Sequence, residues 1–209
     1  MNRLLSSIFF CSLLLAPSFF FVSCSEENSE EEEFANWKER NDEKTDQWAN
    51  RTDGGWYREI LTYTKNENES GLENSDYIYV ELLEAGSGTE CPLYTDLVRV
   101  AYRGRFIPSK SYPNGFVFDQ TYLGDFDWGT AKVVDMSPSQ LVTGFATALM
   151  NMHVGDRWRV YIPYQLGYGA SGNSSSSQTT IPAYTNLIFD IALQNFWHQD
   201  EDSGIFKSR

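Results

Sequence analysis

Cysteine and histidine are scarce: 209 residues hold three of the first and two of the second. Disulfide frameworks need paired cysteines and structural zinc sites need four Cys or His ligands, so neither is supported and no metal is expected. Basic residues are outnumbered too, 16 Lys and Arg against 29 Asp and Glu, for a net charge of −13. A balance of that sign repels phosphate backbones and argues against nucleic acid as a partner. The stretch Val160 to Gly172, VYIPYQLGYGASG, likewise shows no evident nucleophile or metal ligand. What it offers is aromatic surface, a phenolic hydroxyl and permissive glycine backbone, a set suited to grip more than to bond-making.

The chain opens on an apolar run. Residues 1–24, MNRLLSSIFFCSLLLAPSFFFVSC, place Arg3 first, then apolar residues broken by Pro17, then small residues before Cys24. This is the layout of a secretory signal over residues 1–23, and Pro17 weighs against a permanent spanning helix. The ending FVSC resembles a bacterial lipoprotein signal, with Phe21 where leucine is commoner. That resemblance implies lipidation of Cys24, an outer-membrane anchor on the periplasmic face or the cell surface, and Cys91 as the remaining thiol. The acidic run after Cys24, ending at Glu33, is expected to stay solvated and extended as a spacer over residues 24–33. Its position also resembles an export signal of Bacteroides-type surface lipoproteins.

Residues 34–75 read as an N-terminal helical extension. Phe34, Trp37, Asn41 and Trp48 share one helical stripe, which needs a surface to pack on, because short helices are marginal alone. Docking on the following domain and recruitment of a partner both remain open. From Asp76 the period changes to two: DYIYVELLEAGSG, LVRVAYRGRF, RWRVYIP and NLIFDIALQNF alternate as half-buried antiparallel strands do. Between them, Leu141, Phe145 and Leu149 at i, i+4 and i+8 predict one short helix, with Ser137–Pro138 as a start signal and a start a few residues later also open. Strands, one helix, then strands define an α+β domain over residues 76–197, with a tail over 198–209.

The segments VRVAYRGRF, GFVFDQTY, LVTGFATALMNMHVGDRWRVYIP, YQLGYGASG and TIPAYTNLIFDIALQNF occur in the order and spacing of FKBP-type peptidyl-prolyl isomerases, which the chain resembles from Asp76 to Phe196. The resemblance implies a curved antiparallel sheet of five or six strands around the helix, with an aromatic proline pocket between them. Matched by motif, it implies Tyr102, Phe118, Asp119, Tyr168 and Phe189 as catalytic residues and Leu141, Val142, Phe145 and Ile181 as substrate-binding residues. Phe145 stands where many members carry tryptophan. The Val142 N–H and the Tyr168 hydroxyl would hold substrate carbonyls, and Asp119 would polarise or order the site. By periodicity alone the phenylalanines are core residues, the tyrosines sheet-edge donors, Asp119 a turn cap and His153 a structural or surface histidine.

The implied activity is cis-trans isomerisation of X-Pro bonds in exported, proline-containing polypeptides, without a cofactor. Resonance raises a barrier of about 18 to 20 kcal/mol, and an apolar pocket favours the twisted amide over the planar, solvated one. Two other readings stay open: a peptide-binding or chaperone lipoprotein of the same fold, and a surface lipoprotein whose aromatic helix serves assembly or ligand capture. The sequence leaves oligomeric state open. It departs from the family at Lys132, where a second pocket phenylalanine is usual, two positions before Val134. Phe126 or Trp128, from the long segment Gln120 to Thr130, are the candidates to replace that ring. The serine-rich loop before Ile181 is expected to make the rim flexible.

Overall fold

Period-two alternation becomes a sheet with two differently used faces. The computed structural model describes residues 32–51, 57–174 and 179–198. The signal segment, Cys24 and most of the acidic spacer therefore lie outside the described residues. Helix α1 is Trp37–Ala49. It is followed by strands β1 Tyr57–Leu61, β2 Tyr77–Glu84, β3 Leu97–Phe106, β4 Val117–Gln120 and β5 Val134–Met136. Helix α2 Thr143–Leu149 precedes β6 Arg157–Ile162 and β7 Leu187–Trp197.

The sheet order is β1-β2-β6-β7-β3-β4, with β5 also paired to β3. Every pairing is antiparallel. β4 pairs Arg103 to Arg105 and β5 pairs Val98 to Val100, so both occupy successive stretches of one β3 edge. Seven strands thus fill six positions. The extra one is β1, which lies within the stretch 34–75 expected as an N-terminal helical extension. None of its residues YREIL is buried, and pairing to β2 from Tyr57↔Glu81 to Leu61↔Tyr77 holds them in place.

β6 shows how the faces divide. Trp158, Val160 and Ile162 are buried toward α2, while Arg157, Arg159 and Tyr161 point to the other face. α2 is short but buried from Gly144 to Leu149. A Cβ on Gly144 would lie 2.3 Å from Ile162 Cγ2, so only glycine lets the helix approach the sheet this closely. Pro138–Gln140 forms a single 3₁₀ turn, and the α-helix begins at Thr143, later than Ser137–Pro138 suggested. Leu141 and Val142 consequently lie in the approach to the helix and not within it.

The opposite face is covered at one end by α1. Trp48 packs on Tyr161 and Tyr79 at centroid distances of 5.2 and 6.4 Å. The Trp37 indole N–H donates to the Thr185 hydroxyl at 2.8 Å. The helix therefore docks on the domain through the stripe Trp37, Asn41, Thr45 and Trp48. Phe34 lies before the helix and packs edge-on against Trp37 at 5.1 Å.

The end of the acidic run also departs from the solvated spacer. Glu33 is buried, and its carboxylate accepts from the Ser111 hydroxyl at 2.7 Å and the Ser111 N–H at 3.2 Å. Hydrogen bonds from Ser109 and Ser111 hold its pKa below the ordinary carboxylate range. Burial is tolerable because the anion is fully engaged.

Candidate active site

Between α2 and the sheet, three aromatic side chains meet around Phe189. Its ring centroid lies 4.8 Å from Phe145, 5.5 Å from Phe118 and 6.1 Å from Tyr102, each approached edge-to-face. Tyr102 and Phe145 complete the box at 5.9 Å. Such T-shaped contacts let the positive edge of one ring meet the negative face of the next. Phe189 comes from the middle of β7, Tyr102 from β3, Phe118 from the β4 edge strand and Phe145 from α2.

Gly104 makes the box possible. It pairs with Phe189 and Asp119 in the two neighbouring strands. A Cβ there would lie 2.5 Å from Phe189 Cε1 and 2.7 Å from Phe118 Cζ. The missing side chain leaves the space in which the two rings cross. On the outer side Phe118 stacks on Phe106 at 5.2 Å, and Phe116 and Tyr112 continue the aromatic surface.

Polar groups gather at the rim. The Tyr102 hydroxyl donates to Asp119 Oδ2 at 2.7 Å, fixing an exposed carboxylate beside the rings. Burial and that contact push the Tyr102 phenol well above its ordinary value. Burial raises Tyr168 as well, with Asn173 opposing the shift and the charge of Asp119 adding to it. Tyr168 thus shares the electrostatic neighbourhood of Asp119 and Tyr102. It follows the 3₁₀ turn Tyr164–Leu166 that ends β6, and it is half-buried against the core. Gly169, at φ +64, reverses the chain so that its carbonyl accepts from the Tyr184 N–H at 3.0 Å.

Ile181 is buried and bridged to Asn173 by hydrogen bonds of 2.7 and 2.8 Å. Leu141 and Val142 are half-buried against the same core. Among the described residues the Val142 N–H has no acceptor, because it precedes the first turn of α2. It is a donor available to a ligand. His153 lies in the turn between α2 and β6, where its N–H donates to Asp156 Oδ2 at 2.8 Å, away from the rings.

The two candidates for the missing ring are elsewhere. Phe126 packs with Tyr122 over Ala101 and Ala192, on the face opposite Tyr102 and Ile191, and the Arg157 guanidinium lies 4.7 Å from its centroid. Trp128 stacks edge-on with Phe126 at 5.0 Å, and its indole N–H donates to Glu84 at 2.8 Å. Neither replaces a ring at the exposed Lys132. The long segment before Thr130 folds over the back of the sheet because Ala101 and Ala192 leave a shallow apolar seat there.

An antiparallel sheet wrapped on one short helix, with an aromatic box between them, is the FKBP fold. The family model for FKBP-type peptidyl-prolyl cis-trans isomerase matches residues 88–194, and the chain belongs to that family. A macrophage infectivity potentiator from Trypanosoma cruzi is 35% identical over 108 residues, covering 52% of this chain and 47% of that protein. An FKBP-type 22 kDa peptidyl-prolyl cis-trans isomerase from Escherichia coli is 30% identical over 128 residues, 61% of this chain and 51% of the relative. The chain thus spans about half the length of these curated relatives. The crystal structure of a peptidyl-prolyl cis-trans isomerase from Pseudomonas syringae superposes with a TM-score of 0.55 at 22% identity, over 79% of this chain and 96% of that one, a likeness of fold.

Proposed function

We propose that this protein catalyses cis-trans isomerisation of X-Pro bonds in exported, proline-containing polypeptides, tethered to the outer membrane through a lipidated Cys24. The observation that carries the reading is the box of Tyr102, Phe118, Phe145 and Phe189 with Asp119 held at its rim. Proline is the side chain such a box suits, because the ring is apolar and rigid and loses little entropy on capture.

The chemistry requires no bond to a side chain. Rotation about the C–N bond costs about 18 to 20 kcal/mol because resonance is lost at the twisted geometry. Seated among four rings, the amide gives up the hydration that favours its planar, more dipolar form. The Val142 N–H and the Tyr168 hydroxyl supply donors for substrate carbonyls, and Leu141 and Ile181 line the flanks. Asp119 orients the Tyr102 hydroxyl and places negative charge at the rim. Uncatalysed isomerisation takes tens to hundreds of seconds, slow enough to limit folding of an exported chain.

The test is exchange spectroscopy on a short Ala-X-Pro peptide, expected to show cis and trans resonances broadening at catalytic protein concentrations. Absence of broadening at stoichiometric protein retires the enzyme reading. A second reading, a peptide-binding or chaperone module with slow turnover, is favoured by one observation. With Phe126 and Trp128 on the far face, neither stands in for the phenylalanine usual at the position of Lys132. Peptide-dependent shifts at Tyr168 without exchange broadening would support that module. For the tether, Cys24→Ala is expected to release the protein from membranes while the purified domain keeps its isomerase rate. Full membrane retention would contradict the lipid anchor.

A further inference from the structure

On the face of the sheet away from the aromatic box, a cleft of about 410 Å³ opens between α1 and the loop after β3. Its apolar walls are Trp48, Ile107, Pro108, Pro113 and Ile188, and three cations, Lys44, Arg105 and Arg159, face into it. Trp48, Ile107 and Ile188 belong to the buried core, so the apolar surface that the cleft presents comes mainly from the exposed Pro108 and Pro113.

The arginines are anchored from behind. Asp190, buried on β7, takes Arg159 through Nε at 2.7 Å and Nη2 at 3.1 Å. The same carboxylate takes Arg105 through Nη2 at 3.2 Å to both oxygens. One carboxylate thus holds two guanidinium groups and neutralises one. Among the described residues, Arg105 Nε and Nη1 and Arg159 Nη1 have no acceptor. With Lys44 at the rim, three cations line the cleft against the buried Asp190, while Glu81 beside Arg159 is engaged by the Tyr161 hydroxyl at 2.9 Å and by Arg51 at 3.5 Å. Fixed guanidinium donors beside an apolar floor suit an anion that brings an apolar body with it.

We infer that this cleft is a binding site for a carboxylate carried on an apolar chain, the carboxylate bridging Arg105 and Arg159 and the chain lying on Pro108 and Pro113 beside Trp48. A peptide's free C-terminus after an apolar residue and an aliphatic carboxylate share this chemistry. The size is that of small-ligand sites. Asp190 serves as the anchor that presents the donors without consuming them all. The site is independent of the isomerase reading, because it lies on the opposite face of the sheet.

The test is an NMR titration of the protein with three probes: acetyl-Ala-Leu-Phe with a free C-terminus, the same peptide amidated, and decanoate. The expected result is shifts at the Trp48 indole and the Ile188 methyls, with the free acid binding at least about tenfold more tightly than the amide. Binding of the peptide acid, of decanoate, or of both supports the site, and their ranking identifies the source. Arg105→Gln leaves Asp190 paired to Arg159 and is expected to weaken acid binding about tenfold. Lys44→Ala, at the surface, is expected to weaken it severalfold and serves alone should Arg105→Gln unfold. Equal affinity for acid and amide, shifts at Tyr168 in place of Trp48, or unchanged binding in the folded variants would overturn the inference.

Discussion

The Asn186 side-chain N–H donates to the Asn41 backbone carbonyl at 2.7 Å, while the Asn41 side-chain oxygen accepts the Asn186 backbone N–H at 2.8 Å. Both residues are fully buried. This reciprocal pair keys α1 into the turn before β7. The Asn186 side-chain oxygen in turn accepts the Tyr164 N–H at 2.8 Å, at the start of the turn that leads to Tyr168. A helix outside the family match is thereby connected to the rim of the proposed pocket.

Asn41→Ala is accordingly expected to destabilise the protein by about 1 to 3 kcal/mol, the cost of leaving a buried N–H unpaired. Urea unfolding at constant slope measures it. A loss within about 0.5 kcal/mol, typical of surface substitutions, would mean that α1 is dispensable to the fold.

Gly104→Ala adds one methyl where two rings cross. Its Cβ would meet Phe189 Cε1 at 2.5 Å and Phe118 Cζ at 2.7 Å. Overpacking of this kind costs about 1 to 3 kcal/mol and moves both rings. Peptide isomerisation is expected to fall even at temperatures where thermal melts show the variant fully folded. Unchanged rates in a folded Gly104→Ala protein would separate the ring box from the reaction.

Alkaline pH is expected to weaken the fold through buried tyrosines. Burial raises Tyr102, Tyr161 and Tyr168, with burial the largest cause at each. Above the ordinary tyrosine value of about 10, the unfolded chain releases phenolic protons that the folded chain retains. The unfolded state then binds fewer protons, so stability falls as pH rises. The contribution is fully present below about pH 10 and is lost above it. Melting temperatures measured from pH 9 to 11 should decline, and Tyr102→Phe should decline less steeply. Isomerase rates limited by the rim phenols Tyr102 and Tyr168 should stay flat from about pH 6 to 9.

What the sequence made legible follows from which forces are local. β6 alternates strictly because one face meets α2, whereas β7, expected to alternate, is buried on both faces from Leu187 to Leu193, and β2 holds three consecutive buried residues. β1 was not legible, since five residues, none of them buried, acquire strand geometry only from pairing to β2. The direction of the segment after β4 was not legible either. Phe126 and Trp128 are aromatic enough for a pocket, and the seat at Ala101 and Ala192, not their own sequence, sends them to the back of the sheet. Asn41 reads as a polar interruption of an aromatic stripe, because its partner lies 145 residues away.

Phe189→Ala and Tyr168→Phe are expected to fail in different ways. Phe189 is 6% exposed, touches Tyr102, Phe118 and Phe145, and belongs to the core as well as to the box. Its truncation leaves a cavity beneath three rings and is expected to cost about 3 to 5 kcal/mol together with most activity. Tyr168 stands next to Gly169 in a loop, and its ring packs on the core whether or not it carries a hydroxyl. Removing the hydroxyl leaves packing intact and forfeits one neutral hydrogen bond to substrate, about 0.5 to 1.5 kcal/mol, or a two- to tenfold slower reaction. Thermal melts beside peptide isomerisation rates make the comparison. A Tyr168→Phe protein that unfolds, with a Phe189→Ala protein stable and active, would show that the reacting proline lies elsewhere.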